Sequence, residues 1–226
     1  MKQTDEEGSN TLPLIEHSVR DVVRQVADPA RDSGGGVVVG LTLAGAAASA
    51  ELVLRLAVKR KSLANRRDEI AALLDAVESA RRSFEDAADQ DVAAFKQLVE
   101  TQREVKQLPE TDSAQTKQRL VTAYVRASDV PMSLAQQALE FMRNAERGLE
   151  FASRFTVSDI GAAAALARGA IEAALLTVEA NLAYVERDLV AIRRDEMAAL
   201  RAEATAIADR VLTVASRTIT GQIDRS

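Results

Sequence analysis

The chain has no cysteine, no tryptophan and one histidine among 226 residues, with two tyrosines, five phenylalanines and four prolines. Without cysteine there is no disulfide, no thiolate nucleophile and no Cys-ligated zinc or iron–sulfur site. A single histidine, His17, rules out His-rich metal centres, including the paired Glu-x-x-His of di-iron bundles. A Ser-His-Asp triad survives only if that residue serves it. Aromatics at 3% leave little to build a sheet from. Neither charge dominates: 29 basic against 34 acidic residues give −5, so no general attraction to nucleic acid is expected. What abounds is alanine, 42 residues, the best helix former. The expectation is an all-α fold: one bundle of six or seven long helices over residues 11–226, with no internal repeat or domain boundary.

Residues 1–10 are polar and acidic, the reverse of a signal peptide, and read as disordered. Thr11 and Pro13 are placed to open a first helix carrying Ile15, Val19, Val22 and Val26 to Asp28-Pro29. The Gly34-Gly35-Gly36 turn follows, then an apolar run from Val37 to Val58 interrupted by Glu51 and Arg55. That run reads as a helix buried in protein rather than a membrane span. Its small residues Gly36, Gly40, Ala44 and Ala48 lie four apart and make one face smooth, which favours close backbone approach. Being apolar almost all round, the helix is expected to be central or to sit in the interface of a C2 homodimer. Asn65 and Asp68 resemble a capping pair for a third helix reaching Val105. Two stretches, 114–128 and 130–153, flank Pro131. A last helix opens near Val157-Ser158-Asp159 and continues, long and charged, to about Thr218. A cytoplasmic location is expected, with no membrane or nucleic-acid partner.

Ile70, Val77, Phe84, Asp91 and Leu98 fall seven apart on one stripe, and the aspartate among four apolar residues is the sharpest signal. A carboxylate in such a position needs a partner or a task, unless drift of the stripe carries it to solvent. The glycine turn ahead of a helix offers free N–H groups and the positive dipole end, or simply a tight turn. Ser158 and Asp159 suit an N-cap or a site; Asn181, close to an apolar stripe, suits a binding amide or a satisfied core amide. Glu172, Glu179 and Glu186 read as a solvated face, Glu51 and Arg55 as an i,i+4 pair, and His17 as exposed. The basic run Lys59-Arg60-Lys61 either compensates a helix C-terminus or holds a polyanionic tail.

The order of these segments carries a resemblance. Gly-Gly-Gly before an Ala-rich helix, the basic run, Ala-Asp-Gln-Asp-Val-Ala-Ala-Phe at 88–95, Leu108-Pro109, Asp129-Val130-Pro131-Met132, Val157-Ser158-Asp159-Ile160-Gly161 and Asn181-Leu182 follow one another over roughly residues 12–215. This resembles the cyclodeaminase/cyclohydrolase family: the cyclodeaminase domain of formiminotransferase-cyclodeaminase and the bacterial methenyltetrahydrofolate cyclohydrolases. The resemblance implies a helical homodimer that binds folate near the subunit interface. It acts on the one-carbon unit between two folate nitrogens, either closing a formimino group with loss of ammonia or adding water to a methenyl bridge. It implies no metal and no cofactor beyond the folate substrate. Asp159 and Asp91 match the family's aspartates and are expected to be catalytic, in that order. Gly34, Gly35, Gly36, Lys61, Ser158 and Asn181 are expected to bind substrate.

The departures from the family pattern are equally specific. Arg31-Asp32-Ser33 replaces P-T-P before the glycines, Val37 stands for Ser or Ala, and Arg55-Leu56-Ala57 replaces N-L-T. Glu110 reverses a lysine, Ala152 to Phe155 replaces a G-N-x-N run, and Thr177 stands for an asparagine. Several of the lost groups are hydrogen-bonding, each typically worth about 1–3 kcal/mol. Weak, salt-sensitive folate binding through the glycine turn and the basic run is therefore expected. The alternatives are a cyclase of the same fold acting through an imine or iminium on a non-folate secondary metabolite, and a non-catalytic helical dimer.

Overall fold

A computed structural model describes residues 12–31, 34–107 and 113–223. Thr11, Asp32, Ser33, Leu108-Pro109, Glu110 and the N-terminal ten residues lie outside these, and the expectations for them with them. Among the described residues there are six α-helices and no strand: α1 (Val19–Ala27), α2 (Gly35–Val58), α3 (Arg67–Lys106), α4 (Ser113–Gly148), α5 (Val157–Leu182) and α6 (Arg187–Ile223). Short 3-10 turns occupy Leu14–Glu16, Lys61–Arg66 and Leu149–Phe151.

α2 and α5 are the apolar centre. α2 packs between α3 and α5, α4 covers α3 and α5, and α6 closes on α5. Both central helices are long and apolar enough to cross a membrane by composition, but their Leu43, Val53, Leu54, Ile160, Ile171, Leu175 and Val178 are buried inside the bundle. Phe84 of α3 meets Phe141 of α4 edge-on, ring centres 5.9 Å apart. The smooth row on α2 faces α3 of the same chain. A Cβ on Gly40 would stand 3.1 Å from the Ala88 nitrogen and 3.2 Å from the Phe84 carbonyl, so glycine sets the closeness of this crossing. Ala44 is buried on the same side; Ala48 is exposed.

The helix boundaries differ from expectation in four places, each with a local cause. The first helix is a 3-10 turn and then α1, whose true cap is Ser18, accepting from the Asp21 N–H. His17 lies in the link between them, half-buried, its ring bonded to the Leu12 carbonyl and the Gln25 amide. Asn65 makes no cap; it sits in a 3-10 turn that runs directly into α3. Pro131 divides nothing: α4 runs through it. Conversely the last helix breaks after Leu182, where no Gly or Pro marks it, and α6 returns antiparallel. Tyr184 in that turn stacks on Tyr124 of α4, rings 4.1 Å apart, which anchors the reversal. Glu172 and Glu179 are exposed, and Arg201 of α6 reaches both, at 2.9 and 3.0 Å.

Two ends of the bundle matter for function. α2 begins level with Asp91, so α3 continues fifteen residues past it, roughly 23 Å at 1.5 Å per residue. α3 and α4 thus overhang the glycine end of α2 as a two-helix arm. At the opposite end, α2 finishes at Val58 and α5 begins at Val157.

Candidate functional site

The glycine turn, Asp91 and Asn181 meet at one end of the central pair. They line a cavity of about 310 Å³ with Arg31, Phe95, Leu98, Ala127 and Thr177. Asp91 arrives there because its place on the Ile70–Leu98 stripe points it at α2, and Gly36 receives it. A Cβ on Gly36 would fall 2.0 Å from the Asp91 Cγ and within 2.2 Å of both carboxylate oxygens, so only glycine leaves room for the group. No described glycine has a positive φ, and Gly34 and Gly35 face open space. The turn therefore serves access rather than a left-handed backbone.

No ion pair or hydrogen bond engages the Asp91 carboxylate among the described residues. Burial pushes its pKa above the ordinary value of 3.8. Gly34 caps α2 without a side-chain oxygen, so the first-turn N–H groups have no capping partner. A carboxylate with a raised pKa and the positive end of a helix thus border the same small space.

Asn181 owes its orientation to a proline on another helix. Pro131 has no N–H, so the carbonyl four residues earlier, that of Ala127, loses its helical donor. Asn181 Nδ2 donates to that carbonyl at 3.1 Å. The reading as a satisfied amide describes its nitrogen, which completes α4; its oxygen is engaged by no described residue, and the residue lines the cavity. Pro131 and the i−4 rule mark the Ala127 carbonyl as lacking its helical donor; that Asn181 supplies one follows only from the packing of α5 on α4. Thr177 turns its hydroxyl back to the Ala173 carbonyl. Arg31, Ala94, Phe95, Leu98 and Ala127 complete the lining and were not among the expected site residues; Phe95 is 47% exposed.

The other expected residues lie elsewhere. Lys61 follows α2, and Ser158 and Asp159 sit in the first turn of α5. Asp159 and Asn181 are twenty-two residues apart on one helix, roughly 33 Å. The glycine turn and the basic run are separated by the length of α2, roughly 35 Å. One chain therefore cannot join Asp91 with Asp159, or the glycine turn with Lys61, around one small ligand. Neither Ser158 nor Asp159 caps α5, whose cap position is Thr156. Arg60 donates to the Phe151 carbonyl, tying the basic run to the end of α4. Of the exchanged positions, Arg31 and Thr177 line the cavity, and Val37, Ala57 and Phe155 do not. Val37 packs with Leu14, Val22 and Ala88, Ala57 is in the main core, and Phe155 is exposed near Asp159 under the Arg154 guanidinium.

No metal site accompanies this geometry: no group of three or more potential acidic or histidine ligands occurs among the described residues. No curated protein matches the chain. The crystal structure of a formiminotetrahydrofolate cyclodeaminase from Thermotoga maritima superimposes with a TM-score of 0.74 at 23% identity, covering 92% of this chain and 98% of that one. The family model for formiminotransferase-cyclodeaminase matches residues 18–215, nearly the whole helical body, and the chain belongs to that family.

Proposed function

We propose that the protein is a metal-independent enzyme acting on an amidinium-type C=N carbon of a folate, as a formimidoyltetrahydrofolate cyclodeaminase or methenyltetrahydrofolate cyclohydrolase. The observation that carries this reading is the unpartnered Asp91 carboxylate against Gly36 at a cavity mouth. In cyclisation, the second folate nitrogen attacks the formimino carbon and must lose its proton, while the departing amine must gain one. A carboxylate with a raised pKa can take the first proton and return it to the leaving ammonia. In hydrolysis the same group takes a proton from the attacking water. When ionised it also offsets the positive charge of the amidinium carbon. The Asn181 oxygen is placed to accept from an N–H of the bound ring.

Assembly belongs to the same proposal. The solvent faces of α2 and α5 carry Val38, Leu52, Leu56, Leu166 and Leu176, all exposed. Near the middle of these helices, Gly45 and Gly169 face open space within the chain. A mid-helix glycine costs about 0.5–1 kcal/mol relative to alanine, and nothing in the subunit requires these two. A two-fold axis close to them would lay the central helices of two subunits antiparallel. The Lys61–Asp159 end of each would then approach the glycine end of the other, assembling residues that one chain holds apart. A cytoplasmic homodimer is the state this reading requires. Light scattering checks it: a dimer at micromolar concentration, converted to monomer by Gly169→Arg.

A cyclase acting on a less polar iminium is the second reading. It is favoured by the cavity wall of Ala94, Phe95, Leu98 and Ala127 and by an asparagine that already gives one of its two N–H groups to the Ala127 carbonyl. Turnover assays with 5-formimino- and 5,10-methenyltetrahydrofolate separate the two. The folate enzyme turns over one of them, and Asp91→Asn lowers that rate by about 10²–10⁴-fold. No turnover of either folate by a folded wild-type dimer rejects the first reading.

A further inference from the structure

The cavity at Asp91 is half of a longer cleft. A second cavity, also about 310 Å³, runs between the overhanging parts of α3 and α4 and shares Ala94, Leu98 and Ala127 with the first. The two cavities adjoin along the arm at these shared residues. The lining changes character across that boundary. The first compartment presents Asp91 together with Arg31; the second presents no carboxylate, but two arginines and the side-chain amides of Gln97, Gln115 and Gln118. Arg119 is engaged by Glu104 at 2.5 Å. Arg126 is exposed and pairs with no acid among the described residues, although Glu186 borders the groove on its other side.

We propose that this second compartment holds an anionic tail of the substrate, with Arg126 as its counter-ion. The register of the helices fixes the spacing. Gln102 donates to the Tyr124 hydroxyl, so Arg126 lies near the level of Leu98, seven residues or about 10 Å along α3 from Asp91. A ligand with a cationic C=N head at Asp91 and a carboxylate or phosphate about 10 Å away matches both poles. Between them, Ala94, Leu98 and Ala123 offer an apolar wall suited to an aryl or alkyl linker. A guanidinium binds either anion through paired N–H donors. This assignment moves the tail from Lys61, at the far end of α2, to the arm beside the catalytic carboxylate. It rests on the proposed chemistry at Asp91 for the head, but the tail compartment is testable without it.

Two tail fragments serve as probes in calorimetric titration: p-aminobenzoylglutamate for a carboxylate tail and phenyl phosphate for a phosphate tail. The wild type is expected to bind one of them, with affinity falling as salt rises. Arg126→Met should weaken that binding roughly 10- to 100-fold, the range for a hydrogen-bonded charge. Lys117→Met, which removes an equal charge from the exposed side of α4, should leave it unchanged. Equal binding by wild type and Arg126→Met, or binding of neither fragment, overturns the proposal. The folate reading fails separately. If a folate is turned over and Arg126→Met leaves its KM unchanged, the tail lies elsewhere while the folate reading stands. If a fragment binds at Arg126 and no folate reacts, the compartment stands and the folate reading falls.

Discussion

Two carboxylates sit at packed positions on the α2–α3 seam, and they are treated in opposite ways. Glu51, midway along the seam, is 8% exposed and receives Arg55 Nε and Arg81 Nε, each at 2.7 Å. Those arginines reach on to Glu78 and Glu85. Burial alone would raise the Glu51 pKa, but the hydrogen bonds from Arg81 and Arg55 outweigh it and hold it below the ordinary value. Asp91, at the end of the same seam, meets a bare Cα at Gly36 and no cation, and its pKa rises. Glu51 is locked into one protonation state and stabilises the crossing. Asp91 is left free to exchange a proton, at some expense to stability.

The largest expected effect comes from denying Asp91 its place. Gly36→Ala puts a methyl where the carboxylate rests, so turnover should fall by about 10²–10⁴-fold, as for Asp91→Asn. Because both act on one group, the double variant should be little slower than either single one, which steady-state rates will show. Next is Glu51→Ala, which removes the acceptor that Arg81 and Arg55 share and leaves them only Glu85 and Glu78. A loss of about 2–3 kcal/mol is expected in urea unfolding, below the full range for a fully buried pair because the arginines reach solvent.

Asp91→Asn should do the reverse to stability. The native state holds the Asp91 proton more tightly than the unfolded chain, so stability falls as pH rises from about 3.8 through the raised native value. The variant escapes that loss. It should be more stable than wild type at pH 7, and the gap should close below pH 4. Glu51 runs oppositely: its contribution is complete above pH 4.5 and is lost as acid titrates it through its lowered native value. Thermal melts of the two variants across pH 3–8 test both signs. The smallest effect is a coupling. Asn181→Ala leaves the Ala127 carbonyl unpaired, but in a Pro131→Ala background the restored N–H should satisfy it. A double-mutant cycle is expected to give about 1 kcal/mol of coupling.

The helical class, the central apolar helices and the Asp91 signal were legible because each follows from composition and periodicity within one segment. The break after Leu182 was not, because it depends on Tyr184 meeting Tyr124 across the fold. Pro131 misled in the other direction: a helix interruption is the ordinary consequence of proline, and here a side chain from α5 supplies the missing bond. The site was half legible. Residue types identified Asp91, Asn181 and the glycines. Nothing in the sequence states that α2 and α5 run antiparallel, which sends Asp159 to the opposite end; Lys61 is carried there by the length of α2 alone. Gly36 looked like one of three equivalent glycines until the space beyond its Cα was known.

The Pro131–Ala127–Asn181 link has a consequence for how this chain changes through descent. The Asn181 nitrogen serves the fold and its residue borders the pocket, so a change at this position is felt in both places. A lineage that replaces Pro131 regains the backbone bond and releases Asn181 to vary, and with it the polar edge of the pocket. A lineage that keeps the proline retains the asparagine for architecture alone, even after the chemistry has changed. The amide would then persist as a relic of folding, and its survival in a relative says nothing about what that relative binds.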